Sequence, residues 1–325
     1  VETARPLFGE KELRNAKALI SLALNEDLGE VGDLTTTATI PSSARGAALL
    51  VARAPGVLAG LPVVERLISD FSLERSWEPC LADGDWLERG TRIARMSGSM
   101  RSLLVLERTI LNFLQRLSGI ATLTSRYVAA VAGTRAAILD TRKTTPGWRV
   151  LEKYAVRCGG GQNHRMGLYD SVMIKDNHLA WLQTAPALVS PGEDPLVKAI
   201  KAARAHTPPG TAITIEIDSL EQFDRVIAHG PDIILVDNLP PDQVADAVAR
   251  RDRLAPAVQL EASGGINLAT VTAMARTGVD RISVGALTHS APALDLAMDF
   301  DFGPAATGDG DRRDQGVRPG PASGA

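Results

Sequence analysis

Aromatic residues make up only 4% of the 325-residue chain, and no basic stretch is interleaved with stacking rings. A single-strand nucleic-acid binder needs both, so that class is set aside. A net charge of −3 gives no bulk affinity for nucleic acid or an anionic membrane. There are two cysteines, Cys80 and Cys158, in no C-x-x-C pair. They cannot supply a zinc site without histidine help and read as reduced thiols of a cytoplasmic protein. No apolar run reaches the roughly 18 residues of a membrane-spanning helix. The leading VETARPLFGEKEL lacks the apolar core of a signal peptide.

What is present is ordinary for a soluble globular protein, with 45% hydrophobic and 22% charged residues. The length suits about two domains, or an α/β barrel with a smaller partner. Leu13, Ala16, Leu19, Ile20, Ala23 and Leu24 share one face of a helix over residues 10–28. Residues 46–98 alternate short apolar runs with Gly and Pro, the pattern of strands in an α+β module. Residues 101–132 read as helical, broken into two helices near Ser118-Gly119.

From residue 135 apolar runs of strand length recur between helix-like segments: 136–140, 171–175, 212–217, 232–237, 257–263 and 281–285. Strands alternating with helices imply βα units and a parallel sheet. A closed or nearly closed β/α barrel fits this even spacing best, and a doubly wound sheet is the other architecture it allows.

Each run ends in polar residues. The first leads into DTRKTTPG, with Arg142 and Lys143, and the second into Lys175. The third carries Glu216 and the fourth Asp237. The fifth ends in Glu261 and then Ser263, Gly264 and Gly265, and the sixth in Gly285, followed by Thr288 and His289. In a β/α barrel the C-terminal strand ends form the active-site mouth, so these residues describe a ring around one site. Residues 141–178 hold seven Lys or Arg against three acids, a basic half suited to carboxylates. Glu216 and Asp237 suit Mg²⁺, directly or through water, or ribose hydroxyls. The Ser263-Gly264-Gly265 turn, with a helix starting near Asn267, would aim N–H groups at a phosphate. The run CGGGQNHR matches no phosphate-loop pattern, but its flexible backbone could bring His164 and Arg165 to a ligand.

Bland readings stand beside these. His164 could be a satisfied core histidine. Glu216 could form a salt bridge with Lys143. Asp237 could form a turn or cap a helix, and His289 could cap the helix after it. Cys158 and Trp148 read as packing residues. Arg149, Lys153 and Arg157, four residues apart, read as a solvated helix face.

DTRKTTPG, EKYAVRCGGGQNHRMGLYDSVMIKDNH, LEASGGI and VGALTHSAPALD resemble the quinolinate phosphoribosyltransferase family, as do EDLGEVGDLTT and ERTILNFLQRLSGIAT nearer the start. The resemblance spans about residues 10–302 in order. It implies an α/β fold with an N-terminal α/β sandwich (10–118) and an incomplete, seven-stranded α/β barrel of the type II phosphoribosyltransferase kind (119–288). A segment at 289–302 would return to the first domain, between a flexible N-terminus (1–9) and a disordered tail (303–325). The implied reaction joins quinolinate and 5-phosphoribosyl-1-pyrophosphate, with Mg²⁺, into nicotinate mononucleotide, pyrophosphate and CO₂. The family's quinolinate-binding positions fall on Arg108, Arg142, His164, Arg165 and Lys175. Its catalytic positions fall on Lys143, Glu216 and Asp237, and its phosphate contacts on Ser263, Gly264, Gly285 and His289. The resemblance also implies a homodimer or larger oligomer, with Arg108 reaching the site of the neighbouring subunit. Nicotinate phosphoribosyltransferase, a molybdenum-transport paralogue and an inactive phosphosugar-binding regulator are the alternatives. Five basic residues exceed what a monocarboxylate needs, and all three catalytic positions are filled.

Overall fold

The computed structural model describes residues 5–71, 77–184 and 194–301; the tail from Gly303 onward lies outside them. Helix α1 (Glu10–Leu28) buries Ala16, Leu19 and Ile20 on one side, the face its apolar spacing specifies. It is followed by α2 (Leu34–Thr39), whose first turn is capped by the Asp33 carboxylate. Then come β1 (Arg45–Ala52), β2 (Gly56–Val57), α3 (Leu61–Asp70), β3 (Trp77–Pro79), β4 (Trp86–Leu87) and β5 (Arg92–Ser99).

Helix α4 (Met100–Ala130) runs unbroken for 31 residues, through Ser118 and Gly119 where the sequence suggested a break. Ser118 does not interrupt it. Its hydroxyl points sideways and accepts from Ala59 N–H at 3.0 Å, so it competes with no helical bond. Gly119 answers a packing demand instead, because a Cβ there would lie 2.1 Å from the Pro292 carbonyl oxygen. Along α4 the side chains of Leu103, Leu106, Ile110, Leu114, Leu117 and Ile120 are fully buried. Each contributes roughly 1.5–3 kcal/mol of apolar burial, an upper estimate against an extended chain. The helix therefore anchors one continuous core shared by both halves of the molecule.

The second half contains β6 (Ala137–Leu139), α5 (Arg149–Cys158), β7 (Val172–Ile174), α6 (Asp176–Thr184), α7 (Pro195–His206), β8 (Ile213–Ile217) and α8 (Leu220–Val226). After these come β9 (Ile233–Asp237), α9 (Pro241–Leu254), β10 (Gln259–Ser263), α10 (Val271–Arg276), β11 (Arg281–Ser283), α11 (Ala286–His289) and β12 (Leu296–Asp301). All six strand-length runs read from the sequence contain a strand. They form one parallel sheet in the order β6-β11-β10-β9-β8-β7. Pairing of β11 with β6 joins the last barrel strand to the first. A seventh position is reduced to a single parallel bridge between Leu139 and Gln162. Among the described residues Gln162 has no ladder to β7, so the barrel is open on that side.

β12 leaves the barrel and pairs antiparallel with β1, Leu50 opposite Met298, at the edge of a four-stranded sheet ordered β12-β1-β5-β3. Below the barrel, Asp280 accepts from Leu260 N–H at 2.8 Å and pairs with Arg251 and Arg135. These bonds hold the N-terminal strand ends.

Replacing Gly119 with Ala forces the 292–294 segment away from α4. The expected cost is about 1–3 kcal/mol, the usual range for overpacking, read as a lower denaturant midpoint. An unchanged midpoint would show that this segment does not lie against the helix.

Candidate active site

In a parallel barrel, residues two apart on a strand face the interior together. Met173 and Lys175, Leu235 and Asp237, and Glu261 and Ser263 do so here, and they line a cavity of about 440 Å³ at the C-terminal strand ends. Loop residues Thr141, Arg142, Lys143, His164 and Arg165 complete the wall. Of the ring read from the sequence, Arg142, Lys143, Lys175, Glu216, Asp237 and Ser263 border this one space. A second cavity of about 280 Å³ adjoins it, and Glu216 and Asp237 border both.

The basic wall rests on α5 and on the end of β6. Asp140 follows β6 and is fully buried. It pairs with Lys153 of α5 and accepts from His164 N–H at 2.8 Å and Asn163 Nδ2 at 2.6 Å. Lys153 also donates to the His164 carbonyl at 2.9 Å. Burial pushes the Asp140 carboxyl up and the Lys153 ammonium down, and the charge of each opposes the shift of the other. Arg149 donates to Thr144 Oγ1 at 3.0 Å and to the Met166 carbonyl at 3.1 Å. Arg157 donates to Asn163 at 2.8 Å and to Glu12 at 2.9 Å. The solvated face expected for Arg149, Lys153 and Arg157 is thus an internal scaffold. Lys153 is 0% exposed, because α5 is packed on several sides rather than one.

Within the cavity, burial and then the like charge of Arg142 pull the Arg165 guanidinium below its ordinary value, although it stays charged. Nε of Arg142 is buried without a hydrogen-bond partner. Two cations held close together with an unpaired buried donor form a site that an anion would complete. Lys175 differs, since its Nζ lies 2.6 Å from Glu216 Oε2. Glu216 therefore pairs with Lys175, which directly follows the adjacent strand β7, and not with Lys143 as the sequence reading allowed.

His164 is 8% exposed and touches protein on both ring nitrogens. Nδ1 accepts from Arg165 N–H at 2.7 Å, which assigns the ring proton to Nε2. Nε2 lies 3.2 Å from Glu261 Oε1, within ion-pair range but off the line of a full hydrogen bond. Glu261 is fully buried and accepts from Arg281 Nε at 2.9 Å. Burial alone would raise its carboxyl. The contact with His164, the charge of Arg281 and the Ser283 hydroxyl outweigh that and hold it below the usual range.

Of the remaining expected residues, Ser263 lines the cavity, while Gly285 and His289 lie beside Lys143. A Cβ at Gly285 would sit 3.0 Å from Lys143 Cδ and 3.1 Å from His289 Nε2. His289 ends α11 and its Nδ1 is 2.6 Å from Ser290 Oγ; a strand, not a helix, comes after it. Gly264 adopts φ +88, and a Cβ there would fall 2.2 Å from Asn238 Oδ1. The helix expected near Asn267 starts at Val271, because the Asn267 side chain caps Ala269 and Thr270 N–H in a preceding turn. Arg108 is exposed on α4 and does not line its own chain's cavity. Trp148 stacks on Phe113, and Cys158 is buried, as packing residues should be. Sequence reasoning placed Glu261 at a strand end of the ring without giving it a role, and read Lys153 as solvated; both support the site. Glu261 carried a signal, an acid inside an apolar strand, whereas Lys153 carried none.

Residues 33–118 match the family model described as quinolinate phosphoribosyl transferase, N-terminal domain, and residues 120–299 match its C-terminal domain. A nicotinate-nucleotide pyrophosphorylase [carboxylating] of Mycobacterium leprae is 43% identical over 296 residues, 90% of this chain and 100% of that protein. A probable nicotinate-nucleotide pyrophosphorylase [carboxylating] of Bacillus subtilis is 42% identical, covering 87% of this chain and 92% of its own. The solved nicotinate-nucleotide pyrophosphorylase of Francisella tularensis superposes with a TM-score of 0.78 at 33% identity, over 89% of this chain and 96% of that one.

The depressed carboxyl of Glu261 sets a pH dependence. A carboxyl depressed in the fold contributes stability that is complete above its unfolded value, 4.5, and is lost as pH falls below it. Melting temperature should therefore drop on acidification below that point. Glu261→Gln should be less stable at neutral pH and show a shallower drop, and parallel curves for the two proteins would contradict this.

Proposed function

The chain belongs to the quinolinate phosphoribosyltransferase family, and from that premise we propose how its cavity carries out the family's reaction. The function is transfer of a phosphoribosyl group to quinolinate with loss of CO₂, a pentosyltransferase step of de novo NAD biosynthesis. The observation that carries the site assignment is the crowded pair Arg142 and Arg165, one with a buried unpartnered Nε, beside Lys175 in a cavity of about 440 Å³. A dicarboxylate supplies what these cations lack, and Arg grips carboxylate with paired hydrogen bonds.

Lys143, Glu216 and Asp237 are read as the phosphoribosyl side, with Ser263, Gly264, Gly285 and His289 around the phosphate. Mg²⁺ fits the donor set here. Glu216 and Asp237 offer hard oxygens between the two cavities, and among the described residues no three His, Cys, Asp or Glu gather into a cage. Such an ion would keep water and substrate phosphate in its shell. When bound, it offsets negative charge on the leaving pyrophosphate.

Arg142, Arg165 and Lys175 orient the pyridine nitrogen toward the anomeric carbon. A bond from that nitrogen to the carbon forms as the carbon–oxygen bond to pyrophosphate breaks. Lys143 faces charge developing on the departing oxygen, and the carboxylates face the cationic sugar. The carboxylate beside the ring nitrogen then leaves as CO₂. Its electron pair stays on the ring carbon, stabilised by the adjacent pyridinium, until a proton is taken up. No protein nucleophile is required.

We read the protein as a cytoplasmic homodimer or larger homo-oligomer. Arg108, exposed and outside its own cavity, supports the view that it serves a neighbouring copy's site. Among the described residues no helix is long and apolar enough to cross a membrane.

With the phosphoribosyl donor and Mg²⁺, quinolinate should yield nicotinate mononucleotide and CO₂; turnover of nicotinate alone would overturn the reading. Arg142→Ala should raise the quinolinate KM about 10- to 150-fold, the equivalent of about 1.5–3 kcal/mol for a charge-assisted contact. Mixing inactive Arg108→Ala and Lys143→Ala subunits should restore partial activity on exchange. No recovery would argue for sites built within single chains.

A further inference from the structure

Lys143 lies in a loop with no regular structure, and a lysine side chain has a long flexible stem. Most of what holds this loop comes from residues outside the cavity. Thr288 is fully buried, and its hydroxyl donates to the Lys143 carbonyl at 2.8 Å. Its own carbonyl accepts from Arg116 Nη2 of α4. The same guanidinium donates from Nη1 to the Ala291 carbonyl at 3.2 Å and grips Glu152 Oε1 through Nη2 at 2.6 Å and Nε at 3.2 Å. Glu152 is fully buried, and its other oxygen accepts from Thr145 N–H at 3.1 Å. A chain of hydrogen bonds thus runs from Thr145 through Glu152, Arg116 and Thr288 back to Lys143. It grips the loop at two places and ties it to α11, the element that carries His289. Gly285, at the start of α11, leaves no room between itself and the Lys143 stem.

We propose that Thr288, fixed by the Arg116–Glu152 pair, is a positioning residue that sets where the Lys143 ammonium meets the phosphoribosyl donor. The inference rests on the assignment of Lys143 to that donor. It adds that a buried hydroxyl and an arginine two layers from the substrate govern the contact. Simple structural glue between α4, α5 and α11 would use the same bonds, so the test must detect coupling to Lys143 itself.

A double-mutant cycle does this. The dissociation constant of 5-phosphoribosyl-1-pyrophosphate with Mg²⁺ is measured by titration calorimetry for the full-length protein, Thr288→Val, Lys143→Ala and the double variant. Thr288→Val should weaken binding about tenfold, the scale of one hydrogen bond left unmade. In the Lys143→Ala background it should add less than about twofold, because coupled sites are not additive. Thr288→Ser, which keeps the hydroxyl, should bind as the parent does. An equal tenfold loss in both backgrounds, or no loss in Thr288→Val while Lys143→Ala binds weakly, overturns the proposal. If Lys143→Ala binds the donor normally, the assignment of Lys143 fails first and the proposal with it. Should Thr288→Val not fold, Arg116→Lys enters the same cycle, keeping the charge beside Glu152 but losing the planar fork.

Discussion

The buried pair of Asp140 and Lys153 is the constraint on which the site depends. Removing two charges from water costs several kcal/mol each, and the attraction between them compensates only when remaining bonding capacity is met. Here it is met. Asp140 also receives His164 N–H and Asn163 Nδ2, and Lys153 also donates to the His164 carbonyl. The pair therefore joins three pieces: the end of β6, the body of α5 and the strand-poor segment after the glycine run. Arg142 and Lys143 leave from the first piece and Arg165 from the third. Their placement in the cavity wall follows from a bond that touches no substrate.

Around this hub the electrostatics are divided. Two of the acids lining the cavity already have partners, Glu216 in Lys175 and Glu261 in Arg281, with the His164 ring beside it. The Arg142–Arg165 side holds like charges together, with one buried donor unpaired. The crowded cations sit where the dianionic substrate would bind. Supports for the site come from α4 as well as α5, so a helix that belongs to the core of the first half also fixes the geometry of the second.

Much of this was legible in the chain because the signals are local. Strand-length apolar runs in even spacing announced the barrel, and the polar residue closing each run announced its mouth. Readings that failed did so for one reason. Arg149, Lys153 and Arg157 have the spacing of a solvated face, and spacing carries no information about what covers a helix. Ser118-Gly119 resembles a break until Pro292 is seen lying against it. Glu216 was matched with Lys143 from the sequence, and strand order gave it Lys175 instead, since β7 is the neighbour of β8.

The amino-acid sequence by itself determined the family, the order of elements and which side chains stand at the strand ends. These depend on periodicity and on motifs contiguous along the chain. Tertiary structure alone decided which charges neutralise one another, which remain open to a ligand, and that Thr288, Arg116 and Glu152 reach the Lys143 loop. Those pairings join residues from 7 to 172 positions apart. Their strength depends on burial, which only the packed core imposes.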